Sequence, residues 1–135
     1  MLDFHNPIPD LRHQECRALI AQEYWYRGEL ISDANVLFLR LQNDTWHRFL
    51  IDAGVVFWST VAAPEAPEED SGYRHPHKDI GVLYGLVGKR LSTVSTADLP
   101  GGGELRLDFD GGETLILRNI DDCSKLVFER RAKAR

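Results

Sequence analysis

Residues Gly103–Ile120, GELRLDFDGGETLILRNI, decide the fold: two alternating apolar and polar runs flank Asp110-Gly111-Gly112, the residue types that tolerate the positive φ of a tight hairpin. Register follows from the length of the turn. A two-residue loop sets Leu107 opposite Ile116 and Leu105 opposite Arg118, whereas a three-residue loop sets Leu107 opposite Leu115 and Leu105 opposite Leu117. Because a slip of one residue turns every side chain to the other face, only the longer loop leaves one face uniformly apolar. It places a glycine in the left-handed position of a bulged turn and directs Glu104, Arg106 and Asp108 to solvent.

Working outward, the same alternation recurs. A tight turn at Asn43-Asp44 sets Val36, Phe38, Phe49 and Ile51 on one face, while Leu37, Leu39, Leu41, Trp46 and Leu50 make the other face apolar as well, so this hairpin is expected at the centre of the sheet. Gly54 precedes a strand at Val55–Trp58. Ile80, Val82, Tyr84 and Leu86 alternate as another, Arg90–Val94 follows, and a turn at Asp121-Asp122 leads to Leu126–Phe128. Between Pro9 and Tyr24 the period changes: Leu11, Cys16, Leu19 and Ile20 recur at helical spacing, with Asp10 near the start to accept from orphan backbone amides. The expected architecture is α+β and mainly β. An N-terminal helix within residues 1–24 precedes an antiparallel meander of about six to eight strands with room to curl toward a half-barrel, in a single domain over residues 1–135.

Size and charge narrow the function classes. A chain of 135 residues with 43% hydrophobic content is one ordinary domain. Cys16 and Cys123 lie far apart and the start MLDFHNPIPDLRHQ has neither a basic nor an apolar run, which predicts reduced thiols and a cytoplasmic protein. No segment approaches the roughly 20 apolar residues of a membrane span, so no membrane partner is expected. A net charge of -5 disfavours nonspecific nucleic-acid binding. The tail over residues 125–135, KLVFERRAKAR, runs against that balance and reads as a solvated basic terminus.

Candidate sites gather in the middle. Ala62–Lys78, AAPEAPEEDSGYRHPHK, holds three prolines and four acids and reads as a long exposed loop. Glu65, Glu68, Glu69 and Asp70, with Tyr73 and Arg74 beside them, make either a recognition surface for a basic protein partner or a solvated strip. His75, His77 and Asp79 are donor types for zinc or another transition metal at a permissive spacing, without a visible second shell, and no cofactor is called for. Trp46, Trp58 and Tyr84 are placed to line a concavity if the sheet curves around a small ligand. Tyr24, Trp25 and Tyr26 add aromatic area suited to a core or an interface hot spot. Alternation puts His47 on the face opposite Arg48 and Asp52, so an acid–base set of all three would need a bulge, and ion pairing or protein recognition is the expected role. The glycines of Gly81–Gly88 lack the strand-then-helix context of a nucleotide loop.

The order Leu86-Val87-Gly88-Lys89-Arg90-Leu91, a valine-containing strand and then LRLDFDGGETLIL resembles the C-terminal half of small β-rich bacterial proteins, some of them immunity partners of polymorphic toxins. The resemblance covers Ile80 to Phe128 and implies stoichiometric binding and blocking without chemistry, with no site residues to carry over. The sequence thus predicts a noncatalytic protein-interaction module of a bacterium. A small-ligand-binding curved sheet and a metal-dependent enzyme using His75, His77 and Asp79 stay open as alternatives, and exposed strand edges with surplus aromatics allow a homodimer.

Overall fold

The computed structural model describes residues 8–66, 69–70 and 72–131. Strands β1 (Cys16–Tyr26), β2 (Glu29–Leu41), β3 (Trp46–Asp52) and β4 (Val55–Val61) form a meander. Three short strands follow, β5 (Glu69–Asp70), β6 (Tyr73–Arg74) and β7 (His77–Asp79), then one turn of helix, α1 (Ile80–Leu83). A second meander is built from β8 (Leu91–Leu99), β9 (Gly102–Phe109), β10 (Glu113–Ile120) and β11 (Cys123–Arg130). Among the described residues this makes two antiparallel sheets: a seven-stranded one in the order β4-β3-β2-β1-β6-β5, with β7 also on β1, and a four-stranded one in the order β11-β10-β9-β8. The single curled meander is therefore replaced by two sheets sharing one core. Leu19, Ala21, Leu37, Leu39, Phe49 and Ile51 from the first meet Leu91, Leu105, Leu107, Phe109, Leu115 and Leu117 from the second.

The β9–β10 hairpin has the register the sequence requires, Leu107 opposite Leu115 and Leu105 opposite Leu117. Gly112, at φ +92°, closes the three-residue loop, and its amide donates to the Phe109 carbonyl. The β2–β3 hairpin corrects its expectation by one residue. Its loop is Gln42-Asn43-Asp44, Asp44 taking the left-handed position at φ +63°, with the Arg40 guanidinium on the Asp44 carboxylate (2.7 Å). The pairs are thus Leu37 with Phe49 and Leu39 with His47, and Val36 and Phe38 lie on the opposite face from Phe49 and Ile51. A loop one residue longer inverts the whole pairing.

Among the described residues the N-terminal helix is absent, residues 1–7 lying outside them, and Cys16–Tyr26 is the strand β1. Cys16 pairs with Leu41 and Ala18 with Arg40, so Arg17 is an extra residue in a β-bulge. The bulge brings Cys16 and Leu19 to the same buried face, an i, i+3 spacing that a helix would also produce. Asp10 accepts from the Arg12 amide at 3.0 Å in a local turn instead of capping a helix. The strand expected at Ile80–Leu86 is instead α1 and a tight turn. The Asp79 carboxylate accepts from the Val82 amide (3.1 Å) and Ile80 and Leu86 are fully buried beneath. Residues 125–130 of the basic tail belong to β11.

The described part of the segment over residues 62–78, namely 62–66, 69–70 and 72–78, is not a free loop. It leaves β4 at one margin of the large sheet and reaches β5–β7 at the other, crossing the face that carries Phe38 and Arg48. Arg48 holds it through Glu65 (3.5 Å). Residues 73–79 then run antiparallel to β1, interrupted at Pro76, whose carbonyl accepts from the Glu23 amide (2.9 Å).

Two seams join the sheets. At one, residues 13–16 exchange backbone hydrogen bonds with residues 88–91. At the other, the β11 amides of Ser124 and Leu126 donate to the side chains of Ser32 and Asp33 in β2 (3.1 and 2.9 Å). The β3–β4 turn also presses on β9: a Cβ at Gly103 would lie 2.5 Å from the Gly54 carbonyl oxygen. Gly103→Ala must displace backbone, and is expected to cost about 2 kcal/mol or more by urea unfolding, whereas Ser95→Ala on the exposed face of β8 stays within about 0.5 kcal/mol.

Candidate functional site

One end of the large sheet gathers the aromatic and arginine side chains. The β1–β2 connection is the two-residue turn Arg27-Gly28, both at positive φ, the geometry that matches the twist of paired strands. The Arg27 amide donates to the Gly72 carbonyl (2.7 Å), which sets the β5–β6 turn beside it. These paired turns hold out Tyr24, Trp25, Tyr26, Tyr73 and His75. The Arg27 guanidinium lies over Tyr26 (5.3 Å), and Arg74 over Trp25 (5.5 Å). The Trp25 indole N–H donates to Glu23 (2.9 Å). His75 stacks on Tyr24 at 5.1 Å and meets the edge of Tyr73 at 5.7 Å. Tyr73 donates its hydroxyl to Asp70 (3.1 Å).

Two shallow hollows flank Tyr73. One, of about 230 Å³, is lined by Trp25, Arg27, Gly28, Asp70, Gly72, Tyr73 and Arg74; the other, of about 260 Å³, by Tyr24, Asn35, Tyr73 and His75. Tyr26 is 41% exposed at the rim. Half-exposed Trp, Tyr and Arg on rigid turns are the side chains that dominate interface energetics, because they bury large areas at small entropic cost.

Of the expected recognition residues, the structure brings Glu69, Asp70, Tyr73 and Arg74 together in the β5–β6 hairpin, with Glu69 opposite Arg74 and Asp70 opposite Tyr73. Glu65 lies apart, on Arg48, and Glu68 falls outside the described residues. Trp25 reads in the sequence as aromatic area for a core or a hot spot, whereas Arg27 and the two turns were missed. The dipeptide Arg27-Gly28 between Tyr26 and Glu29 was the signal that could have found them.

The candidate metal ligands are engaged separately. His75 is stacked on Tyr24, His77 hydrogen-bonds Gln22 (3.2 Å), and Asp79 caps α1. Among the described residues no three His, Cys, Asp or Glu side chains converge as a metal site. The Trp46, Trp58 and Tyr84 concavity does not form either. Trp46, in register with Arg40, and Trp58, in register with Phe49, fall on opposite faces of the large sheet, and Tyr84 stacks on Phe128 (4.5 Å) beside α1. His47 and Arg48 likewise point to opposite faces.

A third hollow, of about 220 Å³, opens at the β9–β10 turn and is lined by Ser92, Thr93, Arg106, Asp108, Thr114 and Arg131 among others. Thr93, Arg106 and Thr114 all donate to the Asp108 carboxylate there. Burial pushes the Asp108 carboxyl up, but hydrogen bonds from Thr114, Arg106 and Thr93 together hold it below the usual carboxylate value. Glu113 is buried nearby on Lys89 (3.4 Å); its Oε1, without a hydrogen-bond partner, is enclosed.

Comparison of the chain with protein-family models, with curated proteins and with solved structures found no match.

Two measurements check this geometry. His47 is buried, accepts the Trp58 indole N–H at Nδ1 (3.0 Å) and has its pKa lowered by burial from 6.5. It contributes stability that is full above that value and is lost as the pH falls through the lower folded one, when the ring nitrogen can no longer accept. His47→Gln, whose amide oxygen still accepts, should flatten the fall in unfolding free energy between about pH 7 and about pH 5. His77, also lowered by burial, keeps part of the slope in the variant. Cys16 is fully buried, with its thiol pushed up to about 12 by desolvation, whereas Cys123 is exposed. A thiol reagent should modify Cys123 rapidly in the native protein and Cys16 only after denaturant.

Proposed function

We propose that this protein is a noncatalytic protein-interaction module that binds through the aromatic end of its large sheet. The supporting observation is the cluster of Tyr24, Trp25, Tyr26 and Tyr73 with Arg27 and Arg74, held half-exposed around two hollows by paired turns. The turns are anchored backbone to backbone, so the surface is preorganised and binding orders little chain. A toxin-blocking inhibitor of the immunity type belongs to this class and has the same test. The acids Glu69 and Asp70 at the margin of the cluster suit a partner with a basic rim.

Affinity capture from a lysate of the source organism, with tagged wild-type protein and a Trp25→Ala/Tyr73→Ala variant as baits, tests the reading. A stoichiometric protein retained by the wild type and weakened by about a thousandfold in the variant is expected, since two aromatic anchors each contribute about 2 kcal/mol. Equal retention by both baits would move the interface elsewhere. Matching melting temperatures for the baits exclude misfolding as the cause.

A further inference from the structure

The apolar tip of α1 is the largest exposed aliphatic feature that the aromatic surface does not use. Val82, Leu83 and Val87 are 68%, 56% and 45% exposed. Val82 and Leu83 are consecutive, and Val87 returns to the same turn, its side chain within 3.2 Å of where a Cβ would stand at Gly81. This exposure is not slack. The amides of Tyr84, Leu86 and Val87 donate to the carbonyls of Ile80 and Gly81, Asp79 caps the turn, and Ile80 and Leu86 are fully buried underneath. The tip cannot fold inward to hide its side chains.

Around it stand Lys78, Lys89, Arg90 and Arg130, all exposed. Arg130 donates to the Tyr84 carbonyl (3.4 Å), and Lys89 and Arg90 follow directly after the tip. Glu113 pairs with Lys89, and Asp79 keeps its charge while accepting from the Val82 amide, so among the described residues Lys78, Arg90 and Arg130 face a single adjacent carboxylate. In a chain of net charge -5 this is a local cationic collar around an aliphatic point.

We infer that this tip inserts into the interfacial region of a bilayer rich in anionic lipid, with the collar on the headgroups. The chemistry selects that occupant. A second copy would bring two cationic collars face to face, and a folded protein partner is held best by aromatic anchors and grooves, whereas Tyr84, the aromatic ring of this turn, is half-buried on Phe128. A fluid leaflet wraps an exposed aliphatic point, and each lysine or arginine near its surface adds attraction to anionic headgroups. Such a peripheral contact needs no spanning helix, and among the described residues no helix is long and apolar enough to span. The expectation of no membrane partner rests on the lack of a spanning segment, and a peripheral contact of this kind does not involve one.

Sedimentation with phosphatidylcholine vesicles, with and without phosphatidylglycerol, tests the inference. The wild type should co-sediment with the anionic vesicles and not with pure phosphatidylcholine, and binding should fall with added salt. Val82→Ser/Leu83→Ser should weaken it by about tenfold or more, and Lys78→Gln/Arg130→Gln should weaken it comparably at low salt. Both variants change exposed side chains, and unchanged melting temperatures would show that they fold. Failure to sediment with anionic vesicles, or sedimentation that survives Val82→Ser/Leu83→Ser, overturns the inference. Neither result bears on Trp25 and Tyr73, which lie at the other end of β1.

Discussion

The amides of β11 set the constraint on which the rest of the fold depends. A marginal strand must pair its backbone donors, and here Ser124 and Leu126 find the Ser32 hydroxyl and the Asp33 carboxylate of β2 in place of another strand. The arrangement continues inward, because Asn119 donates to the Ser124 hydroxyl (2.9 Å) within the buried layer. Long β2 thus belongs to one sheet by its ladder and to the other by its side chains. With residues 13–16 bonded to residues 88–91 on the far side, the two sheets are fastened along two lines and the leucine-rich faces between them share one core. An apolar residue at Ser32 or Asp33 would leave buried amides unsatisfied, a cost of about 1–3 kcal/mol for each.

With the sheets fastened, the large one still carries apolar side chains on its outer face. Phe38 is fully buried there, in register with Arg48. Its cover comes from the chain itself: the segment that crosses from β4 to β5 is held by Arg48 on Glu65, and the His77 ring lies 5.9 Å from Phe38. The same crossing delivers residues 73–79 to β1 and so builds the aromatic end. The aromatic end is thus a by-product of covering a two-faced sheet, which ties its rigidity to the stability of the core.

How much of this was legible depends on where the determinants lie. The β9–β10 register could be read because Asp110-Gly111-Gly112 and the flanking leucines point to the same answer. The β2–β3 register could not, since both faces of that sheet are apolar and only the turn decides between them; Asn43-Asp44 is compatible with two loop lengths, and the Arg40–Asp44 contact that accompanies the longer one is a side-chain interaction outside the alternation pattern. Arg17 shows the converse failure. A one-residue bulge in a strand generates helical spacing, so periodicity alone misassigns β1. In the candidate site, the β5–β6 hairpin residues were visible by composition, but their alliance with Trp25 and Arg27 rests on the Arg27–Gly72 hydrogen bond, a contact across 45 residues that no local pattern encodes.

Strand β1 also sets the relation between the two proposed surfaces. α1 rests on its first half, where Gly81 approaches the Leu19 backbone so closely that a Cβ would lie 3.0 Å from its nitrogen. The aromatic end is at its last residues, Trp25 and Tyr26, paired with Arg74 and Tyr73. Six residues of extended chain separate Leu19 from Trp25, roughly 20 Å at the rise of a strand. A leaflet holding the aliphatic tip and a protein held by the aromatic end would then occupy opposite ends of one rigid strand, so neither need displace the other. At the aromatic end Glu69 and Asp70 stand beside Arg27 and Arg74, so acids and arginines balance there, and the cationic excess lies with Lys78, Arg90 and Arg130 at the other end.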